Sequence, residues 1–142
     1  MRWIGVWVVL AAGLLAGCGP DKSSPVYQRK QAFKQMLRHK EAMLGMLNGR
    51  LPYDAKRFAE EMRQLQGVSD KPWPLFTELD SSHAGQDILL QPAAFRQAQQ
   101  HYQQALAALA AVPPDEQGEA LRVPFKAMAA SCQACHDRFR IE

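Results

Sequence analysis

Residues 132–136 read Cys132-Gln133-Ala134-Cys135-His136, and only six residues follow. Two thiols three positions apart, with an imidazole directly after them, are the pattern of covalent c-type haem attachment. The chemistry asks for this spacing. On a helix Cys132 and Cys135 share a face about one turn apart, so each can form a thioether to one of two neighbouring vinyl groups of a porphyrin. His136 comes next and can supply the proximal nitrogen to iron. Two other chemistries use paired cysteines. A dithiol redox pair belongs beside a βαβ pattern, and the chain shows none. A structural zinc site takes four ligands, and there is no second cysteine pair. The expected cofactor is therefore one covalent haem c, attached at Cys132 and Cys135, with His136 on the iron.

The rest of the chain fits a small helical domain around that motif. A length of 142 residues corresponds to one domain, and 47% hydrophobic with 22% charged residues fits an ordinary globule. A net charge of +3, scattered along the chain, is too small to argue for nucleic acid. Alanine and glutamine are plentiful after residue 91 and β-branched residues are few, which favours helix.

The N-terminus reads as a targeting segment. Arg2 precedes an apolar run from Trp3 to Leu15, and small residues then lead into a cysteine. Leu15-Ala16-Gly17-Cys18 resembles the lipobox of a bacterial lipoprotein precursor. Residues 1–17 are then a signal peptide, Cys18 the lipidation site and residues 18–25 a polar tether. The alternative is an uncleaved anchor helix with Cys18 free. Both export the chain and hold it at a membrane. The three cysteines are thereby accounted for, and no pair is left for a structural disulfide.

Four stretches carry helical periodicity. The first runs over residues 25–48 with Phe33, Met36, Met43 and Leu47 on its stripe, ending at Asn48-Gly49. A short turn and an Asp54 cap lead into the second, over 54–66, so these two are antiparallel neighbours. Residues 67–91 show no sustained period and read as a long crossover anchored by Trp73, Leu75 and Phe76. The third helix starts at Pro92 and stops before Pro113-Pro114. Residues 115–122 read as a loop or as a first helical turn, and Gly118 and Pro124 argue against continuous helix. The fourth helix is then expected from Pro124, with Phe125, Met128, Cys132, Cys135, His136 and Phe139 facing inward. The expected fold is all-α, an antiparallel four-helix bundle over residues 26–142 with the haem on its C-terminal helix.

On these residues the chain resembles the cytochrome c′ family of class II c-type cytochromes, over about residues 26–140. The match lies in the terminal Cys132-X-X-Cys135-His136 motif with Phe139 and Arg140 after it, and in Arg29 followed four positions later by Phe33. The resemblance implies that Arg29 lies against a haem propionate, that Phe33 covers the distal face and that Arg140 lies near the proximal histidine. An ordinary surface charge is the alternative for Arg29. A class I cytochrome c is excluded by order, because its attachment motif is near the N-terminus. In the family a distal methionine makes the iron six-coordinate and low-spin, whereas Phe or Leu leaves it five-coordinate, high-spin and open to NO and CO. Phe33 points to the second type. A slipped register would bring in Met36, about 5 Å further along the helix axis. Methionines also fill core gaps, the alternative for Met36 and for the more distant Met43 and Met46. His39 is expected on the wet side of its helix and His101 on the surface.

Three functions compete. One is a one-electron carrier serving redox partner proteins; another is a module that binds NO or CO. A peroxidase is disfavoured, because it needs a distal base and a charge-stabilising donor, and no enzyme activity is expected. The expected location is the periplasm, lipid-anchored to a bacterial membrane. The resemblance also admits a homodimer through the first two helices.

Overall fold

The computed structural model describes residues 21–77, 79, 84–115 and 117–141. The expected signal peptide and Cys18 lie outside them. Among these described residues five α-helices follow one another: α1 (Pro25–Leu47), α2 (Ala55–Val68), α3 (Asp87–Leu90), α4 (Pro92–Ala110) and α5 (Glu119–Phe139), with a 3-10 turn at Trp73–Leu75. The four long ones form the bundle; α1 packs mainly on α2 and α4 on α5.

Helix starts follow capping chemistry. Ser24 accepts from the Tyr27 N–H at 3.2 Å, and Pro25 takes the first helical position, where its missing N–H costs nothing. Asp54 caps α2 by accepting from the Arg57 N–H at 2.7 Å. After α1, Gly49 takes the left-handed conformation that stops a helix (φ 77°). Among the described residues no helix is long and apolar enough to cross a membrane.

The inward stripes meet in one core. Met43, Phe58, Leu65, Leu109, Leu121 and Met128 are its fully buried members. A smaller cluster of Ala84, Ile88, Phe95 and Phe139 closes the end of the bundle near the C-terminus. Aromatic rings from the 67–91 connection join the two: Trp73 stands edge-on to Phe33, Phe95 and Tyr102.

One expectation needs correction here, and one open reading is decided. The connection is not structureless. It carries the 3-10 turn and α3, and Ala84 pairs with Arg140 through a Gly85 N–H to Phe139 carbonyl bond of 2.8 Å. Of the two readings of residues 115–122, the helical turn holds from Glu119, and Pro124 lies inside the last helix. Proline there forgoes one backbone hydrogen bond, but the start is held by Asp115. Its carboxylate accepts from the N–H groups of Gln117, Glu119 and Ala120, each at 3.1 Å. Gly118 adopts φ 71°, and a methyl group there would stand 2.5 Å from Tyr53 Cε2, so both backbone and space demand glycine.

The backbone donors, Ala120 first, hold the Asp115 carboxyl below its usual range, against a smaller opposing effect of burial. A depressed folded pKa gives stability that is present above the ordinary carboxylate pKa and lost as pH falls through the lowered value. Asp115→Ala is therefore expected to lower Tm at pH 7, and the gap from the unsubstituted protein should close as the pH falls below that range. Thermal unfolding across pH measures it; a gap that persists unchanged in acid would refute the charge-assisted cap.

Candidate functional site

Between α1 and α5 the bundle opens into a cavity of about 520 Å³, within the roughly 300–1,000 Å³ common for small-molecule and cofactor sites. Phe33, Met36 and Leu37 line it from α1, and Cys132, Cys135 and His136 from α5. Trp73, Phe76, Phe95 and Tyr102 form the rest of an aromatic wall. The helical register explains the convergence. Cys132, Cys135 and Phe139 continue the stripe that buries Phe125 and Met128, so the motif inherits an inward direction from the core below it.

Both thiols are half-buried and free, and burial raises their pKa values, Cys132 against a smaller opposing pull from Lys40. They also sit toward the C-terminal, negative end of α5, where the dipole disfavours a thiolate. A reactive redox pair needs the opposite environment, so the geometry speaks against that alternative. The zinc alternative lacks its donors, since among the described residues no three of His, Cys, Asp or Glu are placed to hold a metal ion. His136 is exposed as a residue at the cavity edge, and partial desolvation of its ring, followed by the charges of Arg140 and Lys40, lowers its pKa and so favours the neutral imidazole.

Arg29 is not an ordinary surface charge. It is 4% exposed, donates from Nη1 to the Leu75 carbonyl at 2.8 Å and lies over the Phe76 ring at 4.6 Å, at the cavity wall. Phe33 meets Trp73 at 5.8 Å and Phe76 at 6.3 Å between ring centroids, both edge-on. Met36 is buried one turn further along and also reaches the cavity, whereas Met43 and Met46 belong to the core alone. Arg140 is exposed at the rim, its N–H bonded to the His136 carbonyl at 3.0 Å.

His101 is exposed as expected. His39 is not: it is 6% exposed, and its Nδ1 lies 2.7 Å from Glu61 of α2. Its charged sequence neighbours concealed a hydrogen-bonding partner on another helix, and it lies off the cavity. Sequence reasoning also missed the polar side chains of the site. Trp73 and Tyr102 line the cavity, and their buried Nε1 and Oη have no hydrogen-bond partner among the described residues. Burial foremost, and then Cys132, raises the Tyr102 pKa. Lys30, Lys34 and Lys40 line the cavity too; steps of four and three through Lys30, Lys34, Leu37 and Lys40 could have shown a connected stripe on the helix.

Comparison with known proteins agrees with this geometry. The family model described as Cytochrome C′ matches residues 24–140. A cytochrome c′ of Alcaligenes xylosoxydans xylosoxydans is 32% identical over 116 residues, covering 81% of this chain and 91% of the relative. One from Halomonas halodenitrificans is 33% identical over 131 residues, covering 86% and 99%. Among solved structures, a nitric oxide complex of a leucine-to-isoleucine variant of Alcaligenes xylosoxidans cytochrome c prime superposes with a TM-score of 0.77 at 31% identity, covering 84% of this chain and 98% of that one. The chain belongs to the cytochrome c′ family, four-helix-bundle proteins that carry one covalently bound haem c.

Proposed function

We propose that the cavity between α1 and α5 is the haem site, that Cys132 and Cys135 hold the porphyrin through thioethers and that His136 ligates the iron. The observation that carries this is the convergence of both thiols and the imidazole on one mostly apolar cavity of about 520 Å³. The residues fit the group. The wall is largely aromatic and aliphatic, with both thiols on it and burial holding their pKa values above the usual range. Bound there, haem supplies an iron that exchanges one electron and offers a position to a small neutral gas.

The chain's own residues define what that iron can do. Phe33 has no atom able to ligate it and, with Trp73 and Phe76, forms an aromatic patch of the wall that suits a small neutral gas such as NO or CO. Arg29, fixed by Leu75 and Phe76, offers a positioned cation for a propionate. Arg140 keeps positive charge beside His136 and opposes imidazolate character there. Among the described residues the lining holds no carboxylate, and binding of a gas ligand with one-electron exchange is the reading proposed. The solved relative held as a nitric oxide complex supports gas binding. The N-terminal pattern supports a periplasmic protein, lipid-anchored through Cys18.

A second coordination state has its own observation, since Met36 also lines the cavity. Two variants separate them. If Phe33 caps an open site, Phe33→Ala speeds CO association with the ferrous protein at least tenfold and Met36→Leu leaves the ferric spectrum unchanged. If Met36 ligates, Met36→Leu converts a low-spin spectrum to a high-spin one.

A further inference from the structure

The cavity lining contains five cations, namely Arg29, Lys30, Lys34, Lys40 and Arg140, and among the described residues no carboxylate. Four of them belong to α1, whose single acidic residue is Glu41. Lys30, Lys34 and Leu37 are spaced by four and three, and Lys40 lies three beyond Leu37, so they share one helix face. Lys34 and Arg140 are exposed; Lys40 is half-buried and holds Glu41 at 3.2 Å. In the midst of them Leu37 is 53% exposed, a large apolar side chain at the cavity mouth. Two propionates of a bound haem would neutralise two of the five cations and leave the rim positive.

We propose that Lys34, Leu37, Lys40 and Arg140 form a docking surface for an acidic one-electron carrier protein, which exchanges its electron at this mouth. The inference rests on the haem reading above. One apolar side chain inside a charged rim is the anatomy of a protein interface. A membrane surface would need a broad apolar face on α1, but that face, Met36 and Met43 included, is turned into the core. Like-signed lysines and arginine around a narrow opening would steer a negative partner and raise its association rate. In the exchange, one electron leaves the partner's reduced centre and takes ferric iron to ferrous; no bond is made or broken and no proton moves.

The test is stopped-flow reduction of the ferric holoprotein by flavodoxin hydroquinone, an acidic donor oxidised to its semiquinone, over a series of salt concentrations. Small reagents serve as a second probe: anionic ferricyanide and cationic tris(phenanthroline)cobalt(III), each oxidising the ferrous protein. The flavodoxin rate should fall steeply with salt, and Lys34→Glu with Lys40→Glu should lower it at least tenfold at low salt. The same pair should slow ferricyanide and speed the cobalt complex. Lys34→Gln with Lys40→Gln, a milder change, should give a smaller effect of the same sign. Rates independent of salt and of these substitutions would overturn the docking surface. Capture by phosphatidylglycerol vesicles, lost in the glutamate variants and paired with a salt-independent flavodoxin rate, would reassign the patch to lipid and overturn it equally. A protein that carries no haem would instead refute the reading beneath it, and its optical spectrum reports that separately.

Discussion

Replacing both Cys132 and Cys135 with alanine is expected to abolish covalent haem attachment altogether. After denaturing electrophoresis the double variant should show no haem-stained band. Each single variant should keep haem through the remaining thioether, with a shifted α band from the unreacted vinyl. The expectation follows from the placement of both thiols on one wall of one cavity, and from the absence of any disulfide between them. Two attached single variants and one empty double variant is a pattern that a redox pair or a metal site would not produce. A double variant that still carried haem after denaturation would contradict the assignment.

The largest effect on stability is expected away from the site. Phe58 is 1% exposed, packs on Tyr53 with ring centroids 6.2 Å apart, and does not line the cavity. Phe58→Ala should cost about 3–5 kcal/mol, the usual loss for emptying a buried aromatic position. Total stability is only about 5–15 kcal/mol for a domain of this kind, so a substantial share is removed at one residue. Urea unfolding of the ferric holoprotein, followed by far-ultraviolet circular dichroism, measures it. The visible spectrum of the folded fraction should stay as it was. A loss below about 1 kcal/mol would mean that the α1–α2 core is looser than the described packing.

Much of this was legible beforehand because the deciding signals are local. The apolar spacing marked four helices, Asp54 and Pro92 marked two of their starts, and the Cys132–His136 motif named its own chemistry. What escaped depends on partners distant in sequence. The start of α5 at Glu119 relies on Asp115 reaching back to three amide groups and on Gly118 fitting beneath Tyr53, which no periodicity reveals. The short α3 is a single helical turn, too brief for a period to register. His39 sits among charged neighbours in sequence, yet Glu61 of α2 lets it be buried. Arg29 was open between surface and site until the Leu75 carbonyl and the Phe76 ring, 46 and 47 positions away, were seen to hold it. The cationic mouth was visible as lysines but not as a surface, because Arg140 joins it from the other end of the chain.

The central claim is a haem in the α1–α5 cavity with Phe33 leaving the iron open. Its most direct test is the optical spectrum of the purified ferrous protein before and after CO is added. The account predicts a broad, unsplit visible band that sharpens and shifts with CO. Sharp, split bands indifferent to CO would show a sixth protein ligand, place Met36 on the iron and contradict the open site.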